Sequence, residues 1–209
     1  MLLLAIDTAT TAATACLWRD GSVLAEGERR GGHVAQEVLV LCQELVERAG
    51  VSGSAIDAVV GGIGPGSFTG VRIGLATARG IALALGVPAA GASTLAALRA
   101  GAGGDAIGCI DARRGEVFAE SSEIAGAARA PATLVDAARP GQLVVGDGAV
   151  RYRALFEAAG LLVPADEDPR HLPAARLLAV SAAADGLRTP LEPRYMRRPD
   201  AEATVAVAP

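Results

Sequence analysis

A glycine-rich segment at residues 61–70 has the composition best suited to a chemical role. It holds five glycines in ten residues, and helix-forming residues follow it directly. Such a loop can turn its amide N–H groups inward at the positive end of a helix dipole, and Gly64, Gly66 and Ser67 would then lie close to a bound nucleotide phosphate. The segment contains no lysine, so it is not the P-loop of an NTPase.

The same segment also has a structural interpretation. Glycines allow the positive φ angles of a tight strand-to-helix turn, and Ser67 or Thr69 could cap the helix that follows. Anion binding and a tight turn both remain open on the residues alone.

Two aspartates each follow a short apolar run. Asp7 ends the run Leu2–Ile6, and Asp111 ends the run Ala106–Ile110. Carboxylates at strand ends can organise a metal-bound nucleotide, or they can accept hydrogen bonds within the following turn, which the sequence favours. Because the nucleotide role stays open for both aspartates, we group Asp7 and Asp111 with the glycine loop as nucleotide-proximal candidates.

Other catalytic groups are not indicated. The two histidines are His33 and His171, with no His-x-x-x-His pair, and no three-ligand metal set is evident; His33 is interpreted as lying near a helix start. The sequence has no Gly-x-Ser-x-Gly elbow, and its three cysteines lie far apart in apolar surroundings. We predict no catalytic residue, no metal, no cofactor required by this chain, and buried thiols at Cys16, Cys42 and Cys109.

The first half of the chain predicts strands followed by alternating helices and strands. Three strands span residues 2–28, with a hairpin turn at Asp20-Gly21, and a further strand covers residues 56–63. Amphipathic helices are predicted at Val34–Arg48 and Val71–Leu85. The apolar stripe of the second helix is interpreted as core first and partner interface second.

The opening pattern returns after the glycine-rich linker Gly101–Gly104. Ile110-Asp111 then corresponds to Ile6-Asp7, and Val144-Val145 before a predicted helix at Val150–Ala159 corresponds to Val59-Val60. The second copy is shorter, so the counterpart of the first helix is missing or reduced. A late helix is predicted at Leu172–Ala184.

Composition limits the function classes. The 209 residues carry a net charge of -4, 51% hydrophobic and 3% aromatic residues, and no basic stripe, which indicates that a partner holds any RNA. The cluster Arg194, Arg197 and Arg198 is interpreted as a solvated tail. Arg79 interrupts the longest apolar helix, and the chain is predicted to be soluble and cytoplasmic, with no membrane contact.

Five motifs along the chain occur together in one known family. They are Ile6-Asp7-Thr8, Gly64-Pro65-Gly66-Ser67-Phe68-Thr69-Gly70-Val71-Arg72-Ile73-Gly74, Asp111-Ala112-Arg113 with Glu116-Val117, Gly146-Asp147-Gly148 and Pro193-Arg194-Tyr195-Met196-Arg197. In these motifs the chain resembles the TsaB (YeaZ) family, with one departure at His33-Val34, where the family has His-Ser. The resemblance implies an α/β, actin-like (ASKHA, RNase H-like) duplicated fold, with a first lobe at residues 1–100 and a second, smaller lobe with an extended tail at 105–209.

The resemblance also implies a function. Members are noncatalytic scaffold subunits that form a heterodimer with TsaD, the metal-bearing enzyme that transfers threonylcarbamoyl to adenosine 37 of tRNA. The ATPase TsaE joins that assembly, tRNA is reached through the complex, ATP or ADP can be present in it, and the subunit alone can form a homodimer. The alternatives are a weak actin-like ATPase using Asp7, the glycine loop and Asp111, and a peptidase, for which no nucleophile or metal set is evident.

The family resemblance finally implies an interface. The two first-lobe helices would pack against their counterparts in the partner. The expected contact residues are Val38, Leu41, Leu45, Val71, Arg72, Leu75 and Arg79.

Overall fold

Two mixed β-sheets, one in each half of the chain, organise the fold. The structure is a computed structural model that describes residues 1–31 and 34–197, without the side chains of residues 34–36. The expectations for His33, Arg198 and the tail beyond Arg197 lie outside the described residues.

The first sheet has five strands in the order β3-β2-β1-β4-β5. The first three strands form an antiparallel meander, and β4 and β5 join β1 in parallel. Three helices belong to this half of the chain, together with a 3₁₀ turn at Gly53–Ala55. The elements are β1 (Leu2–Asp7), β2 (Ala12–Arg19), β3 (Ser22–Arg30), α1 (Val34–Ala49), β4 (Ala58–Gly62), α2 (Phe68–Leu85), β5 (Ala89–Ala92) and α3 (Thr94–Ala102).

The second sheet has four strands in the order β8-β7-β6-β9. Its first three strands are again antiparallel, and β9 pairs with β6 in parallel. A 3₁₀ turn at Pro169–His171 precedes the last helix. The elements are β6 (Ile107–Arg113), β7 (Glu116–Glu120), β8 (Ala127–Arg129), α4 (Pro131–Ala137), β9 (Val144–Val145), α5 (Asp147–Arg151), α6 (Arg153–Ala158) and α7 (Ala175–Ala184).

The two halves repeat one topology, which confirms the duplicated, actin-like α/β fold. In both halves the aspartate-bearing strand pairs in parallel with a strand that leads into a glycine-containing turn, as β1 with β4 and as β6 with β9. The counterpart of α1 is reduced, because α4 has 7 residues where α1 has 16. The counterpart of β5 is a single parallel bridge between Leu143 and Leu162.

Helices cover both faces of the first sheet. Alternate residues of β1 point to opposite faces, and the whole strand is buried, so each face needs a cover. The face of Leu4 and Ile6 packs against α1 and α2, whereas the face of Leu3 and Ala5 packs against α7. The helix α7, expected in the second lobe, therefore packs on the first sheet.

Helix α3 joins the two lobes. Leu95 and Leu98 are fully buried against Ile110 and Val145 of the second sheet. The boundary expected near residue 100 thus falls within packed structure, because a short helix with two apolar sides contacts both halves.

Some local predictions differ from the structure. The helix predicted at Val150–Ala159 is two short helices, because Tyr152 adopts φ −109° and ψ 23° between them. The short elements β8 and α4 were not predicted. The helix α2 begins at Phe68 rather than Val71, and Ser67 caps it as expected, with its Oγ accepting from Gly70 N at 3.3 Å.

The packing of α7 yields a test by truncation of one core side chain. Leu178 is fully buried on the first sheet, so Leu178→Ala should lower the free energy of unfolding by about 2–5 kcal/mol. The exposed Val180 of the same helix serves as the control, and Val180→Ala should change stability by less than about 0.5 kcal/mol. Urea unfolding measures both, and equal small effects would contradict this position of α7.

Candidate functional site

The glycine loop packs directly on the end of β1. Ser67 N donates to Ala9 O at 2.7 Å, and Thr8 Oγ1 donates to Gly70 O at 2.7 Å. A Cβ on Gly66 would lie 2.3 Å from Ala9 O, and one on Gly70 would lie 2.2 Å from Thr8 O. The glycines are therefore needed for close backbone packing, and the tight-turn interpretation fits the structure.

Asp7 is sealed beneath this loop. Its carboxylate is fully buried and accepts hydrogen bonds from Thr94 Oγ1 at 2.5 Å and Ala9 N at 2.8 Å. A Cβ on Gly62 would lie 1.8 Å from Asp7 Oδ2, so the strand β4 covers the carboxylate closely. Burial raises the pKa of Asp7 to about 6, and the hydrogen bonds from Thr94 and Ala9 oppose the rise.

Thr94 is the residue of this arrangement that the sequence interpretation missed. Its hydroxyl donates to Asp7 and accepts from Gly64 N at 3.1 Å, while its own amide donates to Gly64 O at 3.0 Å. It thereby connects the start of α3 to both the aspartate and the glycine loop. No local pattern in the sequence marks Thr94, because its contact with Asp7 spans 87 residues.

Asp111 occupies a different environment from Asp7. Its side chain borders a cleft, and Oδ2 lies 3.2 Å from the Arg113 guanidinium and 3.3 Å from that of Arg151. The amide of Asp111 donates to the carboxylate of Asp147 at 2.9 Å, and burial raises the pKa of Asp147. Two guanidinium groups thus neutralise the one predicted aspartate that reaches the cleft.

The cleft lies between the two lobes and has a volume of about 590 Å³. Of the five nucleotide-proximal candidates, it brings together Gly66, Ser67 and Asp111, whereas Asp7 and Gly64 do not line it. The described residues that line it are Gly66, Ser67, Phe68, Thr69, Arg72, Asp111, Ala112, Arg113, Phe118, Tyr195, Met196 and Arg197.

The C-terminal segment, residues 189–197, forms one wall of this cleft and contacts both lobes. In the first lobe, Thr189 O accepts from Gly91 N at 2.8 Å, and Arg194 N donates to Ile63 O at 2.8 Å. In the second lobe, Arg197 donates to Ala112 O at 3.1 Å and forms an ion pair with Glu116. The expectation of a solvated tail is therefore wrong for Arg197, because its guanidinium is bound at the second lobe.

Arg72 and Arg79 hold the C-terminal segment against α2. Arg72 Nε donates to the Tyr195 hydroxyl at 3.1 Å, and its guanidinium lies 3.7 Å from the centroid of the Phe68 ring. The rings of Phe68 and Tyr195 stack with their centroids 5.8 Å apart, and Arg79 donates to Leu191 O. Both arginines were predicted as partner contacts, yet in this structure their guanidinium groups bind within the chain.

The five apolar residues predicted for the interface lie in the core. Each of them is at most 4% exposed, which leaves almost no surface for a partner, so the expectation does not fit these positions. The apolar stripes of α1 and α2 face their own sheet instead. Exposed large apolar residues of the two helices include Leu39, Val40 and Leu83, which are 51%, 54% and 84% exposed, besides Phe68 at the start of α2. The buried set is Val38, Leu41, Leu45, Val71 and Leu75.

The remaining candidate groups carry no evident chemistry. The three thiols are buried as predicted, and burial raises the pKa of Cys16 and of Cys42 to about 12. Within residues 1–31 and 34–197, no group of three or more His, Cys, Asp or Glu side chains could hold a metal ion. His171 is buried and accepts from Gly146 N at 2.9 Å, which is a structural contact.

Helix α2 is long and apolar enough to cross a membrane by length and composition, with a mean hydropathy of 1.3. Core helices of soluble proteins share these properties. Here the inward side of the helix packs on the first sheet through Val71, Leu75, Ala78 and Ala82, which are all buried.

The fold and cleft define a two-lobed α/β protein of actin-like architecture, and comparison with known families is consistent with this class. Residues 30–159 match the family described as TsaD, tRNA N6-adenosine threonylcarbamoyltransferase. The match covers more than half of the chain, and the chain belongs to this family.

Similar proteins carry the TsaB and YeaZ names. The Escherichia coli "tRNA threonylcarbamoyladenosine biosynthesis protein TsaB" is 43% identical over 56% of this chain, a match that spans 53% of that protein. An uncharacterised Mycobacterium tuberculosis protein is 36% identical over 96% of this chain and 93% of its own length. The structure of YeaZ from Pseudomonas aeruginosa has a TM-score of 0.73 and 28% identity, covering 93% of this chain and 99% of that one.

The burial of Asp7 predicts an unusual pH dependence of stability. A pKa of about 6, against an ordinary 3.8, means that the native state binds more protons than the unfolded chain between about pH 4 and pH 6. Stability should therefore fall as the pH rises through this window and lose nothing more from this group above it. Asp7→Asn should raise the free energy of unfolding by about 1–3 kcal/mol at pH 8 and by much less at pH 4.

Urea unfolding at pH 4, 6 and 8 measures this effect. The control is Asp111→Asn, which removes a carboxylate already paired with two guanidinium groups and should not stabilise the protein at any of these pH values. An Asp7→Asn protein that is less stable than the parent by the same amount at every pH would contradict the prediction.

Proposed function

We propose that this chain is a noncatalytic subunit of the cytoplasmic machinery that makes N6-threonylcarbamoyladenosine at position 37 of tRNA. In this proposal it binds and activates a TsaD-type catalytic subunit as a heterodimer, and the ATPase TsaE joins the assembly. The observation that carries the noncatalytic role is the sealed carboxylate of Asp7, which is fully buried beneath Gly62 and Thr94.

The geometry gives little support to the alternative of a weak actin-like ATPase. Such an enzyme needs carboxylates that can reach a metal-bound nucleotide. Asp7 is buried, Asp111 is held by two guanidinium groups, and the backbone of Thr8 and Ala9 packs against the glycine loop. We therefore assign any ATP or ADP in the assembly to the partner subunits.

The proposed surface for TsaD consists of the outward rows of α1 and α2, which are the side chains on the faces of these two helices that point away from the first sheet. On α2 this row contains the small residues Ala76, Gly80 and Ala84 together with Leu83, all exposed. Small side chains allow a second helix to approach closely, and exposed apolar side chains mark interaction surfaces. Leu39 and Val40 add the apolar part of α1, so the interface consists of side chains next to the buried stripes.

A second copy of this chain could use the same rows when no TsaD is present. The same patch would then meet itself across a two-fold axis, as in most homodimers. The homodimer and the heterodimer would compete for one surface, so added TsaD should dissociate the homodimer.

Charge on this surface tests the proposed partner role. Leu83→Glu should weaken the complex with TsaD at least about tenfold, because it places a charge at a position that becomes buried. The control is Leu162→Glu, which makes the same change at an exposed leucine of the second lobe, outside the proposed surface. Binding is measured by titration calorimetry, and the modified nucleoside by mass spectrometry of tRNA from reactions with TsaD, TsaE, ATP and threonylcarbamoyl-AMP as the group donor.

Leu83→Glu should lower both the affinity and the yield of modified nucleoside, and Leu162→Glu should lower neither. Unchanged affinity in Leu83→Glu would move the interface elsewhere. Full yield from TsaD and TsaE without this chain would reject the subunit role.

ATP hydrolysis by the isolated chain separates the two functions further. We expect no magnesium-dependent turnover by the full chain beyond the background seen with Asp7→Asn. Robust phosphate release that Asp7→Asn abolishes would instead support the ATPase.

A further inference from the structure

The wall of the inter-lobe cleft concentrates positive charge on a chain whose net charge is -4. Arg72, Arg113 and Arg197 line the cleft, and Arg151 adjoins it through its contact with Asp111. The cationic groups come from both lobes and from the C-terminal segment, so only the folded chain brings them together.

The carboxylates at this wall do not cancel the charge. Asp111 pairs with Arg113 and Arg151, and Glu116 pairs with Arg197. Among the described residues, four guanidinium groups face these two carboxylates and the carboxylate of Asp147 beside Asp111, which leaves an excess of at least one positive charge. Guanidinium groups bind phosphate oxygens well because their planar donors match phosphate geometry.

The same cleft offers a stacking surface. Phe68 and Tyr195 stack on each other at its edge, and their side chains are 56% and 48% exposed. Ala112, Phe118 and Met196 supply apolar lining, and the volume of about 590 Å³ can admit a planar base. Exposed aromatic rings beside arginines are typical of sites that bind unpaired nucleotides.

We propose that the inter-lobe cleft binds an unpaired nucleotide of an RNA loop. Its base stacks at Phe68 and Tyr195 against the apolar lining, and the adjacent phosphates pair with Arg113 and Arg151. The proposal deepens the proposed function, on which it rests for the source of the RNA, a tRNA. An acidic peptide could use the charge, but it would leave the stacking surface without a partner.

Two arginine substitutions test the phosphate contacts. Arg113 has a φ of +62°, a backbone conformation that asparagine tolerates well, so Arg113→Asn removes the charge without adding strain. Arg151→Gln removes the second charge and keeps a side chain that can form hydrogen bonds. The matched control is Arg19→Asn, at the end of β2 farthest from Asp7 in the pairing of β1 with β2.

The measurement is fluorescence anisotropy of a labelled tRNA anticodon stem-loop titrated with the full chain at several salt concentrations. The double variant Arg113→Asn/Arg151→Gln should bind about tenfold or more weakly. It should also flatten the dependence of log K on log salt by about 1.4, because each lost contact to single-stranded phosphate removes about 0.7. Arg19→Asn should change neither the affinity nor the slope.

Stacking is tested separately with Phe68→Leu, which keeps an apolar side chain and removes the ring. Affinity for the stem-loop should fall about tenfold with an unchanged salt slope, because no charge is lost. A fully paired RNA duplex of the same length should bind weakly to the parent protein and show no difference between the parent and this variant.

Unchanged affinity and slope in the double variant would overturn the proposal. Displacement of the stem-loop by micromolar AMP would also overturn it, because it would identify a site for free nucleotides rather than an RNA strand. The titration uses this chain without TsaD, so a failure to form the partner complex would reject the proposed function without altering the RNA result. Circular dichroism confirms that each variant is folded.

Discussion

The contact between the end of β1 and the glycine loop is the constraint on which the rest of the structure depends. The residues Asp7–Ala9 occupy the space where side chains on Gly62, Gly66 or Gly70 would otherwise lie. This contact fixes where α2 begins and how it crosses the first sheet. The helix in turn carries the arginines that hold the C-terminal segment, and that segment forms a wall of the cleft. A methyl group added to one of these glycines would therefore displace α2 and, through it, the C-terminal segment and the wall of the cleft.

In the second lobe a glycine turn also packs closely on a strand end, but the aspartate at that strand end has different partners. Side chains on Gly146 or Gly148 would meet the backbone of Cys109 and Ile110, as those in the first loop would meet Thr8 and Ala9. The aspartates at the equivalent strand ends have nonetheless diverged. Asp7 is buried with a threonine hydroxyl, and Asp111 lies at the cleft with guanidinium partners. Duplication has preserved the backbone arrangement. Neither lobe leaves its aspartate without a partner: in the first lobe the partner is a hydroxyl, and in the second lobe the partners are two guanidinium groups.

The sequence predicted those features that local signals determine. The hairpin at Asp20-Gly21, the repeated Ile-Asp strand ends and the cap at Ser67 all follow from neighbouring residues. Neighbouring residues do not determine which surface an apolar stripe packs against. This is why Val38 and Leu75 were assigned to an interface although both lie in the core. The contacts of Arg72 and Arg79 span 123 and 112 residues, and no periodicity reports them. The short elements β8 and α4 have too few turns or alternations to show a pattern.

The position of α7 has a consequence for how the protein is made. The first sheet is encoded by residues 2–92, but one of its faces is covered by a helix that ends at residue 184. During synthesis, the face of Leu3, Trp18 and Val60 therefore remains without its cover until residues 175–184 have left the ribosome. The two lobes are consequently interdependent in folding, because the core of the first sheet is complete only when α7, encoded after the second sheet, has packed on it.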